Sequence, residues 1–520
     1  MTAREVKYYK GHLCGNYLTP QECERLLKIH EMQKRGLFFK DFKHLITDLT
    51  PENIVKIKKA KSAEGIENRE GTLTDLQTLG VAYMAIAKRV LIGDSVGFGK
   101  TPQCAGLVNY LKLKQTDRPF RYIYFTKKTL VEKDQSELIR FTGEYVHQLK
   151  GETAFLKKEL AKIDTEDLPY SFVGTHSVIK NPVFQEWVLV YMQKYQRFPF
   201  DLIIIDEASS VATVNENSEF TKPSRFLCKN AERVVLLNAT PFESRLDSFR
   251  MQLELVDDTL LPTKNVFKRT FQKTRFNGYY TEYIDEYKNE EAFKEAIKLR
   301  FFARKRKENG GTMKNCSAKL IIVQKSREQS RLEKLTSMPQ MVYDCPNTID
   351  PNIEMNEKTT PKLKIIADLI ENEGKNEETI MIYCRYKESQ EGIIKLLKEK
   401  GYTCKRLNGE TKREERLKIV DDFQNKRFRV LVTNVQEGLN FGNCNFMIFY
   451  SALPNPNKMV QVEGRMTRSF NIENKRVFLL ATKGREYNNL KDTIAKRAHS
   501  SELFTGSDYS LILDLLRDNF

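Results

Sequence analysis

Three stretches carry residue types that could bind and cleave a phosphate anhydride. The first is Gly93-Asp94-Ser95-Val96-Gly97-Phe98-Gly99-Lys100-Thr101, preceded by the apolar run Val90-Leu91-Ile92 and followed by a helix-like segment from Gln103 to Leu111. A glycine-rich turn between strand and helix aims backbone N–H groups at phosphate oxygens. Gly97 and Gly99 make the turn, Lys100 reaches the β- and γ-phosphates, and the Thr101 hydroxyl ligates Mg²⁺. Asp94 departs from the strict G-x-x-x-x-G-K-[ST] pattern, which has glycine there. The second stretch, Ile203-Ile204-Ile205-Asp206-Glu207-Ala208-Ser209, is an apolar strand ending in two carboxylates. Asp206 would hold Mg²⁺, largely through water, and Glu207 would orient and deprotonate the attacking water. The third, Gln461-Val462-Glu463-Gly464-Arg465-Met466-Thr467-Arg468, places two arginines three residues apart on one face of a helix. Such arginines can stabilise charge on a transferring phosphoryl group.

Each stretch has a plainer alternative, namely a chance glycine turn, a strand end capped by carboxylates, or an exposed basic helix face. Lys100-Thr101 and Asp206-Glu207 on separate strands make coincidence a poor explanation. His12, Cys14, Cys23 and His30 form the one cluster resembling metal ligands, and their spacing fits no common zinc module.

The elements that must position these residues follow from hydrophobic periodicity. Continuous apolar runs at 90–92, 121–125, 171–174, 202–205 and 233–237 alternate with helical patterns, which predicts a parallel sheet covered on both faces. The same alternation resumes at Pro361, with strands at 379–383, 402–407, 428–432, 445–450 and 476–480 and no second phosphate loop. Domain boundaries are expected as a helical accessory segment over 1–70, a first α/β domain over 71–243, a helical basic insertion or linker over 244–358, a second α/β domain over 359–500, and a C-terminal helix over 501–520. Thr19-Pro20-Gln21-Glu22 reads as a capping box opening a helix. Between the domains, Phe267, Lys268, Arg269, Phe271, Lys273, Arg275, Phe276, Tyr279 and Tyr280, then Arg300 to Lys307, interleave aromatics with cations. They could form a nucleic-acid surface, or helices with aromatics inward and lysines outward.

The formal net charge of +17 favours a polyanionic partner through counterion release. The nine cysteines are scattered with no C-x-x-C pair, as expected of reduced thiols in an intracellular protein. No apolar run approaches the about 18 residues of a membrane span and no signal-peptide pattern opens the chain, so a soluble cytoplasmic protein without a membrane partner is expected.

The ordered series Gln77, GDSVGFGKT, IIIDEASS, LNATPF, MIYCRY, LVTNVQEGLN and QVEGRMTR resembles the motifs of superfamily-two helicases and translocases. It is most similar to the Swi/Snf-type branch in the compact form of phages and large DNA viruses, where aspartate at the Asp94 position also occurs. The resemblance spans about Leu73 to Thr493. It implies two RecA-like parallel-sheet domains in tandem, with helical N-terminal and inter-domain additions, and ATP and Mg²⁺ as cofactors. By position, it implies that Gln77 reads adenine and that Asp94, Gly97, Gly99, Lys100, Thr101 and Gln461 line the nucleotide. Lys100, Asp206, Glu207, Arg465 and Arg468 would be catalytic, with Thr101 and Asp206 on the metal. Thr240 and Gly438 would couple hydrolysis to domain movement. Thr126, Lys127, Lys128, Thr175, Arg385 and Thr433 would grip a nucleic-acid backbone, contacts that position without reading sequence. Ser209 replaces the last letter of the better-known Asp-Glu-Ala-Asp and -His forms. The implied function is a nucleic-acid-dependent ATPase that moves on or remodels DNA, duplex DNA foremost. An RNA helicase or RNA-dependent ATPase would use the same engine. A non-catalytic nucleic-acid-binding scaffold is a further alternative, disfavoured by the intact Lys100, Asp206, Glu207 and both arginines.

Overall fold

The computed structural model describes residues 17–34, 73–115, 117–163, 171–242, 245–276, 278–374, 378–435, 441–467 and 469–520. His12, Cys14, Gly438, Arg468 and residues 35–70 lie outside them. The chain forms two compact units, one of residues 1–309 with 503–506 and one of residues 310–502 with 507–520.

The first unit is built on a seven-stranded sheet. Its strands are β1 (Arg89–Ile92), β2 (Tyr122–Thr126), β3 (His147–Leu149), β4 (Ser171–Thr175), β5 (Leu202–Asp206), β6 (Arg233–Leu237) and, after the hairpin β7 (Gln272–Phe276) and β8 (Thr281–Tyr287), β9 (Phe301–Phe302). They run in the order β3-β4-β2-β5-β6-β1-β9, all parallel. Alternate side chains go to opposite faces, as the pleat requires. Leu91, Ile123, Phe125, Ile203 and Ile205 enter one apolar core, while Val90, Ile92, Tyr122, Tyr124 and Ile204 enter the other. Both faces are buried, so these strands read as unbroken apolar runs.

The Thr19 capping box is present. The Thr19 N–H donates to Glu22 Oε2 at 2.8 Å and the Glu22 N–H to Thr19 Oγ1 at 3.2 Å, opening the helix Pro20–Lys34. Leu26 and Ile29 from this helix are buried in the second core. Cys23 is disulfide-bonded, against the expectation of reduced thiols, whereas Cys104, Cys228, Cys316, Cys345, Cys384, Cys404 and Cys444 are free. No group of three or more metal-ligating side chains occurs among the described residues. No described helix is long and apolar enough to cross a membrane.

The second unit holds six parallel strands, β11 (Ser317–Val323), β12 (Ile380–Tyr383), β13 (Cys404–Leu407), β14 (Val430–Thr433), β15 (Phe446–Phe449) and β17 (Arg476–Thr482), in the order β11-β17-β15-β12-β14-β13. A small parallel pair, β10 (Met313–Lys314) with β16 (Ile472–Glu473), sits beside them in sequence. The two sheets are the parallel α/β class that the periodicity predicts.

Residues 244–358 depart from the expected helical linker. They contain the β7-β8 hairpin, the edge strand β9 of the first sheet and the edge strand β11 of the second, and the division between units falls at 309/310. The aromatics of this region divide. Phe267, Phe271 and Phe302 are buried, while Phe276, Tyr279, Tyr280 and Tyr283 are exposed on or beside the hairpin strands. Several cations expected at the surface are interior, with Arg300 and Arg304 at most 1% exposed.

Two buried carboxylate sites organise the second unit. Glu463, closing the helix Pro456–Glu463, accepts from Ser510 Oγ at 2.7 Å and from the N–H groups of Leu511 (2.8 Å) and Ile512 (3.1 Å), the first turn of the C-terminal helix Leu511–Asn519. A carboxylate there satisfies donors that no helix can satisfy internally and complements the helix dipole. Lys362, fully buried, donates to Asp344 at 2.7 Å, Glu486 at 2.8 Å and the Tyr450 carbonyl at 2.9 Å. Removing the cation would leave two desolvated carboxylates facing each other. Lys362→Met should therefore cost about 3–5 kcal/mol, read as a lower urea midpoint for the transition of this unit, and an unchanged midpoint would refute the assignment.

Candidate functional site

The carboxyl edge of the first sheet collects residues far apart in the chain. Register carries the alignment from strand to strand, with Ile92 opposite Leu237, Leu237 opposite Asp206, Phe125 opposite Ile205, and Thr126 opposite Thr175. The segments leaving these ends are the phosphate loop after β1, Asn238-Ala239-Thr240 after β6, Glu207 after β5, Lys127 and Lys128 after β2, and His176 after β4. Ligands in open parallel sheets bind outside this edge.

The phosphate loop passes from β1 to the helix Lys100–Lys114 through two residues with positive φ, Gly97 (95°) and Gly99 (71°). A Cβ on Gly99 would lie 2.5 Å from Gln77 Nε2, so only glycine fits both the backbone and the space. Lys100 Nζ donates to the carbonyls of Asp94 (2.9 Å) and Ser95 (3.4 Å). The Ser95 hydroxyl is buried with no hydrogen-bond partner, so it can serve a polar ligand.

Asp94 faces away from that loop. Its carboxylate is fully buried and takes Arg304 Nε at 3.0 Å, the Arg304 N–H at 3.1 Å, a second contact from the Arg304 guanidinium, and Gln103 Nε2 at 3.2 Å. Arg304 also donates to Gln103 Oε1 at 2.7 Å and to the Leu76 carbonyl. Asp94 thus anchors the loop from behind and offers no carboxylate oxygen to a ligand. Gln77 is likewise engaged. The Thr74 N–H donates to its Oε1 at 3.0 Å, its own N–H donates to Thr74 Oγ1 at 3.3 Å, and its Nε2 donates to the Phe98 carbonyl at 3.2 Å. This capping box was legible as Thr74-x-x-Gln77. Arg304 was hidden inside a basic run that reads as surface.

Asp206 and Glu207 end β5. Burial, then the neighbouring carboxylates Glu207 and Asp134, push the Asp206 carboxyl up to about 7, with Lys100 opposing. Desolvated negative charge near Lys100 suits a divalent cation, so Asp206 fits the expected Mg²⁺. Glu207 has φ 50° and ψ 51°, a left-handed backbone uncommon for a non-glycine residue and concentrated at functional positions. Its N–H donates to Asp206 Oδ1 at 3.0 Å, and His176 Nε2 lies 2.9 Å from the Asp206 carbonyl. Lys127 Nζ is 3.8 Å from Glu207 Oε2.

The residues expected to grip a nucleic-acid backbone do not share one environment. Lys128 and Arg385 are exposed and Lys127 is half-buried. Thr126 is fully buried, its hydroxyl donating to Asp134 at 2.6 Å. Thr175 Oγ1 pairs with Ser177 Oγ at 2.7 Å, and Thr433 Oγ1 accepts from the Val435 N–H at 3.0 Å. Thr240 is buried, its N–H donating to Asn238 Oδ1 at 2.9 Å, and Asn238 in turn donates to Gln252 at 2.8 Å. In the second unit, Gln461 lies in the helix Pro456–Glu463, but Arg465 lies beyond its end, in the turn after Gly464. Arg465 therefore does not lie on the helix expected to carry it, because Gly464 caps that helix. Arg468 and Gly438 are outside the described residues.

Residues 361–470 match the helicase conserved C-terminal domain. Along most of its length the chain is also similar to the mouse (Mus musculus) DNA repair and recombination protein RAD54B, with 21% identity over 502 residues and coverage of 82% of this chain and 54% of that protein. It thus spans about half the length of that curated relative. The uncharacterized ATP-dependent helicase YqhH of Bacillus subtilis is 22% identical over 486 residues, covering 85% of this chain and 81% of its own. In fold, the chain is similar to the ATP-dependent Type ISP restriction-modification enzyme LlaBIII bound to DNA. That match has a TM-score of 0.53 at 14% identity and covers 84% of this chain and 30% of the other. The two parallel sheets are RecA-like domains in tandem.

Two outcomes follow. Arg304→Ala strips a buried carboxylate of its cation and should cost about 3–5 kcal/mol in denaturant unfolding, with a wild-type midpoint counting against the loop anchor. The folded Asp206 carboxyl lies above its unfolded value of 3.8, so its ionised form opposes folding. That penalty is complete above about pH 7 and fades as pH falls toward 4. Asp206→Asn should therefore raise the thermal midpoint at pH 8 in chelator and lose the gain by pH 4; an equal gain at both would refute the linkage.

Proposed function

We propose that the chain is a nucleic-acid-stimulated ATPase of the Swi/Snf-type helicase and translocase group, acting on DNA. The observation that carries this reading is the convergence of Lys100, Thr101, Asp206 and Glu207 on one sheet edge. The helicase C-terminal match over 361–470 and the similarity to a DNA repair and recombination protein support it. The loop N–H groups and Lys100 would bind the ATP phosphates, with Lys100 exchanging its carbonyl contacts for phosphate oxygens. Thr101 and Asp206 would hold Mg²⁺, which when bound neutralises charge on the phosphates. Glu207 would orient the attacking water and receive its proton. Gln461, Arg465 and Arg468 are proposed to supply positive charge and nucleotide contacts from the second unit, and Thr240 and Gly438 to couple turnover to movement. Lys127, Lys128 and Arg385 are the side chains best exposed to meet a phosphate backbone.

Lys100→Ala should fold and lose ATP hydrolysis by at least about a hundredfold, since the lysine contacts the charge that develops in phosphoryl transfer. Turnover would be measured without nucleic acid and with duplex DNA, single-stranded DNA and RNA across salt. Stimulation by duplex DNA supports the reading, stimulation by RNA alone replaces it with an RNA-dependent ATPase, and wild-type turnover in Lys100→Ala would sink it.

A further inference from the structure

The contact between Lys127 and Glu207 links two roles that the proposed function assigns separately. β2 and β5 are adjacent and parallel, so the residues just past their ends face one another across a single strand spacing. Lys127 Nζ lies 3.8 Å from Glu207 Oε2, and the two side chains are 21% and 23% exposed. The Glu207 backbone is held in the left-handed region, and its N–H is fixed to Asp206 Oδ1 at 3.0 Å. From this fixed backbone the carboxylate is turned toward the β2 loop. His176, just past the end of β4 and so one strand beyond β2, meets the Asp206 carbonyl. The segments leaving β2 and β4 thus both touch the Asp-Glu pair.

We propose that Lys127 is a positioning residue for Glu207. It holds the carboxylate in a resting orientation, and a nucleic-acid phosphate that engages Lys127 releases Glu207 toward the attacking water. The exchange is of one anion for another on the same ammonium group, with no bond made or broken. A partly exposed pair, longer than a hydrogen bond, is weak enough for such an exchange. The adjacent exposed Lys128 gives a polyanion a second point of attachment that a lone phosphate lacks. Nucleic-acid binding would thus raise turnover from within one unit. This inference rests on the proposed ATPase reading.

The test compares wild type, Lys127→Ala, Lys127→Gln and Lys127→Arg in ATP hydrolysis without nucleic acid and through a titration of duplex DNA. Releasing a pair of this kind should raise the DNA-free kcat by about two- to five-fold in the alanine and glutamine variants, with KM for ATP unchanged. The ratio of stimulated to basal rate should fall by at least as much, and Lys127→Arg should retain wild-type stimulation. In a Glu207→Gln background the gain should vanish. A stimulated wild type with an unchanged or lower basal rate in Lys127→Ala and Lys127→Gln overturns this inference alone, the first leaving Lys127 a simple phosphate contact. So does a gain that persists with Glu207→Gln. A wild type that hydrolyses ATP without any response to nucleic acid overturns the functional reading and this inference together.

Discussion

A fully buried ion pair, Arg304 with Asp94, sits behind the phosphate loop, and the geometry of the site depends on it. The loop has to turn sharply through Gly97 and Gly99 and present its amides outward, which leaves Asp94 pointing inward at the base. An isolated carboxylate there would be very costly to desolvate. Arg304 neutralises it with a planar fork that also reaches Gln103 on the following helix and the Leu76 carbonyl. Gly80 has no side chain because Gln103 and Arg304 occupy the space where a Cβ would be. The helix Asp75–Ala87, the loop and the helix Lys100–Lys114 are thereby clamped around one guanidinium. Arginine suits this position better than lysine, since its planar fork meets the Asp94 carboxylate through two nitrogens while reaching Gln103 and the Leu76 carbonyl.

The second constraint is the parallel sheet. Parallel strands with helical crossovers bring every strand's carboxyl end to one edge. In this chain that edge gathers a loop lysine, two carboxylates and a histidine from three strands. Crowding has a chemical consequence, since burial first, and then the carboxylates of Glu207 and Asp134, push the Asp206 carboxyl up. The site is thus built with surplus negative charge, and binding a cation would relieve repulsion already present in the fold.

Much of this was legible in the residues. The strands of both sheets showed as unbroken apolar runs because both faces are covered, and the phosphate loop and Asp206-Glu207 stood at their ends. What escaped had identifiable causes. β9 is two residues long and lies within a run of cations, where no periodicity can develop. Arg300 and Arg304 read as surface because charged residues are seldom fully buried, and their partners Asp257 and Asp94 are distant in sequence. Thr126 looked available to a ligand, and nothing in its neighbourhood announced that Asp134, one helical segment later, consumes its hydroxyl. Arg465 was assigned to a helix that Gly464 ends early.

The Glu463 carboxylate bears on how the second unit can be altered. It lies between Gln461 and Arg465 in sequence, and its oxygens are spent on the first turn of the helix Leu511–Asn519. The last helix is therefore a structural wall of the arginine-bearing segment. A deletion or fusion that unseats residues 511–519 would strand a buried charge two residues from each of two candidate site residues, so the chain's final residues constrain its chemistry from a distance.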